Sequence, residues 1–390
     1  MAGRSSSSSS SAPFVTSGGV RVTGAWTRAG LGSCIRVQGA NKQDDLLFDC
    51  GVCEPDTISA GFVFISHGHV DHIGASVMHA RSKALTKKTA TYYVPVDSVG
   101  PLEEARAAFS KLDGGDIPMN IVPLQPGESV VVNGELVVKA FPTVHRVPSQ
   151  GYALYKRTRS KALLPEYTHR KHEIEELRRQ GLQVYAETSA ETLELVYTGD
   201  TTFDGLLDER NRFIFSAQIL IMELTYLDGE RSRAVDRGHV CIDDVIEHAQ
   251  LFTTCDHVVF CHISERYAPH GKALSILREK LPEDFAARCS VSLRSFGSGE
   301  HLTSLAAVDF GKRSAEVGWG SATRVGADIV YCCHGRVPEC AGRMGNDGRG
   351  ISVDWPLAFR AWFRCRRSLP AVVCRCIREQ QRRRWRRWTW

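Results

Sequence analysis

The stretch that decides the fold runs from an apolar segment into a cluster of polar side chains: Phe64-Ile65-Ser66-His67-Gly68-His69-Val70-Asp71-His72-Ile73-Gly74. His67 and His69 lie two residues apart, so they leave the end of a predicted strand on the same side. Asp71 and His72 follow in the first residues of the next segment. Left unpaired, these groups would be costly to bury, whereas imidazole and carboxylate together suit Zn²⁺, with Mn²⁺ or Fe²⁺ as alternatives. The stretch therefore predicts a metal site at the end of a strand.

The spacing His-x-His-x-Asp-His resembles the signature of the metallo-β-lactamase fold superfamily. Elsewhere in the chain, several apolar strand-like runs also end in His, Asp or Glu. Strands that all carry such residues at their C-terminal ends indicate a sandwich with one metal-lined edge. The predicted fold class is α/β, an αββα sandwich of two mixed sheets covered by outer helices, with an inserted basic arm and an irregular C-terminal tail.

Three further polar residues complete the predicted metal site, and each follows an apolar run: His145, Asp200 and His262. Two Zn²⁺ about 3.5–4 Å apart can share a bridging carboxylate and activate water near neutral pH. We expect one metal to bind His67, His69 and His145. The other metal takes Asp71, His72 and His262, and Asp200 bridges both.

Four acidic or basic side chains receive further roles in the predicted site. Asp71 lies close enough to the attacking water to serve as general base as well as ligand. Asp49, after the strand Leu46-Leu47-Phe48, is placed to accept the N–H of a ligand histidine. Glu223 and His239 form the predicted proton donor to the leaving oxygen, with a purely structural role as the alternative.

Composition excludes some classes of protein. Apolar residues make up 43% and charged residues 24% of the 390-residue chain, as in globular domains, and there is no apolar run of about 18 residues that could span a bilayer. The whole chain has a net charge of +5, but eleven Arg and one acid between residues 360 and 390 give that segment +10, so the remaining residues sum to −5 and the body of the chain is acidic. Thirteen scattered Cys favour a reducing compartment, the cytoplasm or nucleus. The Ser-rich beginning suggests organellar import as a weaker alternative.

These shifts in composition predict three regions. Residues 1–18 are expected to be disordered, 19–305 to form the catalytic domain, and 306–390 to form a low-order tail rich in Arg and Trp. Residues 156–185 interrupt the strand series as a basic insertion. On charge alone, this insertion is best interpreted as a solvated helix–loop.

From about Gly19 to Arg294, the chain resembles the tRNase Z family in its short, plant-like form. The matching segments are Leu47-Phe48-Asp49, Val147-Pro148-Ser149-Gln150-Gly151-Tyr152, Tyr197-Thr198-Gly199-Asp200-Thr201-Thr202, Met222-Glu223-Leu224-Thr225-Tyr226, Arg237-Gly238-His239 and His262-Ile263-Ser264-Glu265-Arg266-Tyr267. The second, fourth and last of these are the most specific. The resemblance implies a zinc-dependent endonuclease that removes the 3′ trailer from precursor tRNA. It also implies a homodimer in which the insertion is an RNA-binding arm, with phosphate contacts from Lys156, Arg157, Arg159 and Lys161.

Two alternatives remain from the sequence. One keeps the fold and the metals but acts on a small phosphodiester or another ester. The other is a catalytically silent RNA-binding relative. Deletion of the insertion would separate the first alternative from a tRNA nuclease, and metal binding without hydrolysis would favour the second.

Overall fold

A computed structural model describes residues 15–41, 44–169, 171–268, 270–292 and 302–305, together with the backbone of 323–325 and 328–330. The chain divides into two compact units, Met1–Val308 and Asp309–Trp390. In the second unit, strands 323–325 and 328–330 pair antiparallel. The rest of the predicted tail and residues 1–14 lie outside the described residues. Residues 15–18, which the sequence assigned to a disordered terminus, form a turn in which Thr16 is buried.

The first sheet has six strands in chain order: β1 (Arg21–Arg28), β2 (Gly32–Gln38), β3 (Asp45–Phe48), β4 (Phe62–Phe64), β5 (Thr91–Val94) and β6 (Asn120–Pro123). The strands β1, β2 and β3 pair antiparallel, and β3 to β6 run parallel. Both faces of β3 are buried because this strand lies inside a covered sheet. The C-terminal ends of β3 and β4 therefore reach the same edge.

The second sheet has eight strands in the order β14-β13-β12-β11-β10-β9-β8-β7. Their bounds are β7 (Ser129–Asn133), β8 (Leu136–Pro142), β9 (Gln150–Leu163), β10 (Tyr185–Tyr197), β11 (Ile219–Glu223), β12 (His257–Cys261), β13 (Cys289–Ser292) and β14 (Leu302–Ser304). The run β10–β11–β12–β13 is parallel, whereas both edges are antiparallel. This mixture matches the predicted pair of mixed sheets.

Nine α-helices are described: α1 (Val70–Ile73), α2 (Ser76–Ala84), α3 (Val96–Asp113), α4 (Ile174–Arg179), α5 (Phe203–Leu207), α6 (Arg231–Arg237), α7 (Ile242–Glu247), α8 (His270–Lys280) and α9 (Glu283–Ala286). Short 3₁₀ turns lie at Pro55–Thr57, Pro165–Tyr167, Lys171–Glu173, Glu209–Ser216, Ala249–Thr254 and Glu265–Tyr267. Within the described part of the chain, every helix is too short or too polar to cross a bilayer.

Three apolar clusters hold these layers together. Side chains from both sheets meet between them, where Phe48 lies 5.9 Å from the ring of Tyr152 and 5.6 Å from that of Tyr197. The neighbouring side chain, Leu47, points to the other face of the first sheet and packs there with Val77 of α2 and Leu102 of α3. The outer face of the second sheet packs against α5 to α9. The predicted αββα sandwich is confirmed.

The basic insertion differs from the expected helix–loop. Strands β9 and β10 pair over their whole length, from Tyr152 opposite Tyr197 to Leu163 opposite Tyr185, and only α4 is α-helical between them. We call the part beyond Lys156 the arm ribbon, residues 157–163 and 185–192. Cross-strand pairs such as Arg157 with Glu191 stabilise it, and each such pair contributes roughly 0.2–1 kcal/mol.

Candidate metal centre

The backbone of the metal motif is held by the loop that follows β3. The N–H of Cys50 donates to the carbonyl of His72 at 2.7 Å, and Ala75 N–H donates to the carbonyl of Cys50 at 2.9 Å. At Gly51, a Cβ atom would lie only 1.8 Å from the carbonyl oxygen of Asp71. Only glycine therefore permits this close approach, which places α1 and its ligands against the end of β3.

Three imidazoles form the first group of the centre. His67 and His69 come from the turn after β4, and His145 comes from the loop after β8. Nδ1 of His69 lies 3.0 Å from Nε2 of His67 and 3.2 Å from Nε2 of His145. The potential ligand atoms of these three residues and Asp200 all lie within 4.8 Å of one another. The structure thus brings together one predicted ligand set.

The second group contains Asp71, His72 and His262. Nε2 of His262 lies 3.3 Å from Nε2 of His72 and 3.4 Å from Oδ2 of Asp71. His262 follows β12 with a φ of 57°, a conformation that is uncommon for a residue other than glycine and that clusters at functional sites. This backbone turn directs the imidazole back toward α1.

Asp200 lies between the two groups. Its Oδ2 atom is 3.3 Å from Nε2 of His72 and 3.4 Å from Nε2 of His262, and 3.8 Å from Nε2 of His67 and 3.9 Å from that of His145. Its other oxygen, Oδ1, is buried without a hydrogen-bond partner. A buried, ionised carboxylate oxygen is rarely left unpaired, which indicates a cation at this position.

In four of the imidazoles, the Nδ1 atom faces away from the centre, and the hydrogen bond that it makes fixes the tautomer of the ring. Nδ1 of His72 donates to Oδ2 of Asp49 at 2.6 Å, and Nδ1 of His145 donates to the carbonyl of Gly238 at 2.7 Å. Nδ1 of His67 lies 2.9 Å from Oγ of Ser66, and Nδ1 of His262 lies 3.0 Å from Oγ1 of Thr225. Both hydroxyls donate to carboxylates, so they accept from these rings. In the neutral rings, four Nε2 lone pairs therefore converge on the centre.

The electrostatics of the centre also favour a bound cation. Burial lowers the pKa of His67, and burial likewise lowers the pKa of His69 and of His145. Burial would lower the pKa of His72 too, but the carboxylates of Asp200 and Asp49 outweigh it and raise that pKa. The lowered pKa values of His67, His69 and His145 favour neutral rings with free lone pairs, while the carboxylates of Asp200 and Asp49 supply negative charge. This donor set fits divalent Zn²⁺ or a similar metal.

A buried acid–base pair lies beside the centre. Oε1 of Glu223 is 2.9 Å from Nδ1 of His239, and the carboxylate is fully buried at the end of β11. Burial would lower the pKa of His239, but the charge of Glu223 and its hydrogen bond raise it to about 9. The ring of His239 lies 5.1 Å from that of His145 and 5.3 Å from that of His262. The His239 imidazole is therefore held by Glu223 against the predicted metal ligands.

Asp49 contacts a histidine of the motif, as the sequence predicts, and it also accepts hydrogen bonds from other groups. It accepts hydrogen bonds from the backbone N–H of Ser66, the Ser66 hydroxyl, His72 and the hydroxyl of Tyr197. Ser66, Tyr197 and Thr225 were not predicted as site residues. Ser66 precedes the first ligand in the motif, but no sequence signal marked Tyr197 for this contact.

The four basic residues predicted to bind RNA lie on β9, apart from the metal-binding groups. Lys156 donates to the carbonyl of Gly18 at 3.0 Å, and Arg157 pairs with Glu191 at 2.9 Å. Within the described chain, the exposed side chains of Arg159 and Lys161 have no ion-pair partner. Opposite Arg159 on β10 stands the neutral Ser189. Lys161 stands opposite Glu187. Uncompensated positive charge on the arm ribbon is therefore greatest at Arg159.

Comparisons with known proteins agree with this geometry. The family model of the β-lactamase superfamily domain matches residues 52–263. The tRNase Z TRZ1 of Arabidopsis thaliana is 38% identical over 226 residues, which cover 57% of this chain and 79% of the relative. The chloroplastic tRNase Z TRZ2 of the same plant is 32% identical over 225 residues, 57% of this chain and 62% of the relative.

Among solved structures, the short form of human tRNase Z is 20% identical, covers 64% of this chain and 93% of its own, and superimposes with a TM-score of 0.45. The family of this chain follows from the match to the family model and from the identity and coverage of the first Arabidopsis relative. The chain belongs to the tRNase Z family within the β-lactamase superfamily.

Proposed function

We propose that this protein is a zinc-dependent endoribonuclease that removes the 3′ trailer from precursor tRNA. The observation that carries the proposal is the convergence of seven predicted ligands into two groups, with Asp200 in the first and 3.3–3.4 Å from two imidazoles of the second, in a chain of the tRNase Z family. The products would be a tRNA with a 3′-hydroxyl and a trailer with a 5′-phosphate.

The two groups define which residues would hold metal. His67, His69 and His145 would bind one ion, Asp71, His72 and His262 the other, and Asp200 would contact both. When bound, two Zn²⁺ ions would lower the pKa of water to yield a nucleophile and neutralise charge on the phosphoryl oxygens. Mn²⁺ is the alternative metal for the same imidazole and carboxylate donors.

Asp71 is suited to act as general base. Burial would raise its pKa, but the hydrogen bond with His262 and the nearby imidazoles lower it, so the carboxylate stays ionised. Its Oδ2 atom accepts the N–H of Gly30 at 2.7 Å, which holds the carboxylate in place while its side chain remains partly exposed. This carboxylate would accept a proton from the attacking water.

His239 is suited to act as general acid. Glu223 holds Nδ1, which leaves Nε2–H to donate to the departing 3′-oxygen. The proton neutralises the leaving group as the phosphorus–oxygen bond breaks. The raised pKa keeps the imidazole protonated at neutral pH.

The arm ribbon would bind the tRNA away from the cleaved bond. Arg159 would supply most of the phosphate contact, because the charges of Lys156 and Arg157 are partly offset by Glu135 and Glu191. Lys161 would contribute less, since it stands opposite Glu187. Such contacts bind RNA without sequence preference and weaken as salt rises.

We also propose that the enzyme acts as a homodimer, in which the arm of one subunit serves the active site of its partner, as the family resemblance implies. For the compartment, we propose the cytoplasm or nucleus, with an organelle as the alternative. The free thiols of the described chain support a reducing environment, and the chloroplastic relative supports the alternative.

A cleavage assay tests the proposed function. Purified full-length protein with Zn²⁺ is incubated with a precursor tRNA that carries a 3′ trailer. A cut is expected near the discriminator base, where the trailer joins the tRNA. His69→Ala should abolish the cut. Absence of any cut by the zinc-loaded wild type would refute the proposal.

Shortening the arm separates this function from that of a small-ester hydrolase. Residues 158–190 are replaced by an Asn-Gly turn, which joins the Arg157–Glu191 cross-strand pair as a tight hairpin. Hydrolysis of bis(p-nitrophenyl) phosphate should persist, while cleavage of precursor tRNA should fall. Equal cleavage of precursor tRNA by the wild type and the shortened variant would show that the arm does not select the substrate.

A further inference from the structure

We propose that Thr225 is a positioning residue that holds the His262 imidazole in the form that binds metal and links it to the Glu223–His239 pair. This inference rests on the proposed metal-dependent function. Thr225 follows β11 by two residues and is 4% exposed, so its hydroxyl can be satisfied only by neighbouring protein groups. Those neighbours are a carboxylate and a metal-binding imidazole.

The direction of the two hydrogen bonds follows from their chemistry. Oγ1 of Thr225 lies 2.7 Å from Oε2 of Glu223 and 3.0 Å from Nδ1 of His262. A carboxylate oxygen only accepts, so the hydroxyl hydrogen must point to Glu223. The hydroxyl oxygen is then an acceptor toward His262, and the hydrogen of that ring must reside on Nδ1. Its Nε2 lone pair consequently faces Asp71, His72 and Asp200.

Glu223 is what makes this arrangement unambiguous. Its two oxygens accept from Thr201 N–H at 2.8 Å, His239 at 2.9 Å, Thr225 at 2.7 Å and Val240 N–H at 3.2 Å. All four partners are donors to a buried carboxylate, so the group is held in one orientation. A hydroxyl alone could rotate to donate to His262, but the carboxylate prevents this rotation.

The backbone around both residues is equally constrained. Leu224 N–H donates to the carbonyl of Cys261 at 2.9 Å, and His262 N–H donates to Oγ1 of Thr27 at 2.9 Å. The structure gives Nδ1 of His262 a different kind of partner from those of His72 and His145, which donate to a carboxylate and a backbone carbonyl. Because its hydroxyl contacts both His262 and Glu223, Thr225 connects the metal-binding side of the site to the proton donor.

Zinc affinity tests this role without reference to RNA. Thr225→Val keeps the shape of the side chain but removes the hydroxyl, whereas Thr225→Ser keeps it. In a chelator competition on the full-length protein, Thr225→Val should bind one of two Zn²⁺ roughly 10–100-fold more weakly, the usual effect of losing an outer partner of a ligand histidine. Thr225→Ser should recover most of the wild-type affinity. Wild-type affinity at both sites in Thr225→Val would overturn the inference.

A measurement on the wild type covers the case in which Thr225→Val fails to fold. In zinc-loaded protein labelled with ¹⁵N-histidine, the signal of His262, assigned by its loss in His262→Gln, should show a protonated Nδ1 and a metal-bound Nε2. A hydrogen on Nε2 would overturn the inference. A wild type that binds two zinc ions and leaves precursor tRNA uncut would refute the proposed function alone, because the affinity and tautomer results do not depend on RNA.

Discussion

Glu223 and His239 form a buried ion pair in which Oε1 and Nδ1 are 2.9 Å apart. The carboxylate is fully buried, whereas the side chain of His239 is 15% exposed. One member of the pair is thus fixed within the fold and the other reaches the surface where substrate would arrive. Because Glu223 acts through His239, the two side chains should behave as one functional unit.

The first prediction concerns this unit. His239→Ala and Glu223→Gln should each lower kcat by about 10²–10⁴ while KM for precursor tRNA changes little, because the proton donor is lost and binding is kept. Assayed with saturating Zn²⁺, because Glu223 also holds the Thr225 hydroxyl, the double variant should be about as slow as the slower single variant. Metal analysis should show that His239→Ala retains both ions. Multiplied losses in the double variant would mean that the two side chains act independently.

The second prediction concerns the carboxylate between the two ligand groups. Asp200→Asn should weaken zinc binding by more than about 100-fold, because loss of a direct ligand exceeds the 10–100-fold effect of an outer partner. Elemental analysis after gel filtration measures the bound zinc. Asp204→Asn, an exposed change four residues later on α5, is the matched control and should keep both ions. Two zinc ions retained by Asp200→Asn would remove this residue from the ligand set.

The third prediction distinguishes the cations of the arm ribbon. Arg159→Ala should weaken tRNA binding and reduce the slope of log K against log salt by about one, since one phosphate contact is lost. Arg157→Ala should have the smaller effect because Glu191 already offsets its charge. Filter binding between 50 and 200 mM salt measures both. Arg210→Ala serves as control, because this exposed residue is paired with Asp208. A larger effect from Arg157 would contradict the assignment.

The fourth prediction concerns the close approach of Gly51 to the backbone carbonyl of Asp71 in the metal motif. Gly51→Ala should lower Tm and zinc affinity together, because the new Cβ atom would meet the carbonyl of Asp71 and displace α1. Gly61→Ala offers the matched control, since a Cβ there meets nothing within 4 Å. Thermal unfolding and chelator competition provide the readouts. If both variants behaved alike, the close approach at Gly51 would have no role in placing the ligands.

The fifth prediction is a pH dependence of stability that does not involve the metal. His79 is buried between the hydroxyl of Tyr92 at 2.6 Å and the carbonyl of Thr57 at 3.0 Å. Burial lowers its pKa from 6.5 to about 4. The unfolded chain therefore binds a proton at a higher pH than the folded chain. The neutral ring stabilises the fold above pH 6.5, and this contribution, about 3 kcal/mol, is lost as pH falls toward 4.

Urea unfolding at pH 7.5 and pH 5 tests this sign. His79→Gln should lose less stability between the two pH values than the wild type, because the titrating group is gone. His172→Gln, a change at an exposed side chain, should reproduce the wild-type difference. An unchanged pH dependence in His79→Gln would show that other groups account for it.

Much of the site follows from local sequence. His67, His69, Asp71 and His72 fall within six residues, so a strand, a turn and one helical turn necessarily bring them together. His145, Asp200 and His262 were predicted because strands of a covered sheet deliver their ends to one edge. The αββα layers follow from the same alternation of apolar strands and helices.

Other features depended on contacts between distant parts of the chain. The arm was expected as a helix–loop because its charges resemble a solvated face, but Arg157 and Glu191, 34 residues apart, pair across two long strands. Local propensity does not report such a pairing, since its stabilisation arises only when both strands are present.

The sequence by itself thus determined the fold, the metal motif and the strand ends at which the remaining ligands are predicted, because the order of strands and polar residues is set along the chain. Only the tertiary structure decided which nitrogen of each histidine faces the centre, and that Thr225 joins His262 to Glu223. Those features depend on the direction of single hydrogen bonds between loops 37 residues apart, as for Thr225 and His262. A hydroxyl becomes an acceptor or a donor only when its neighbours are in place.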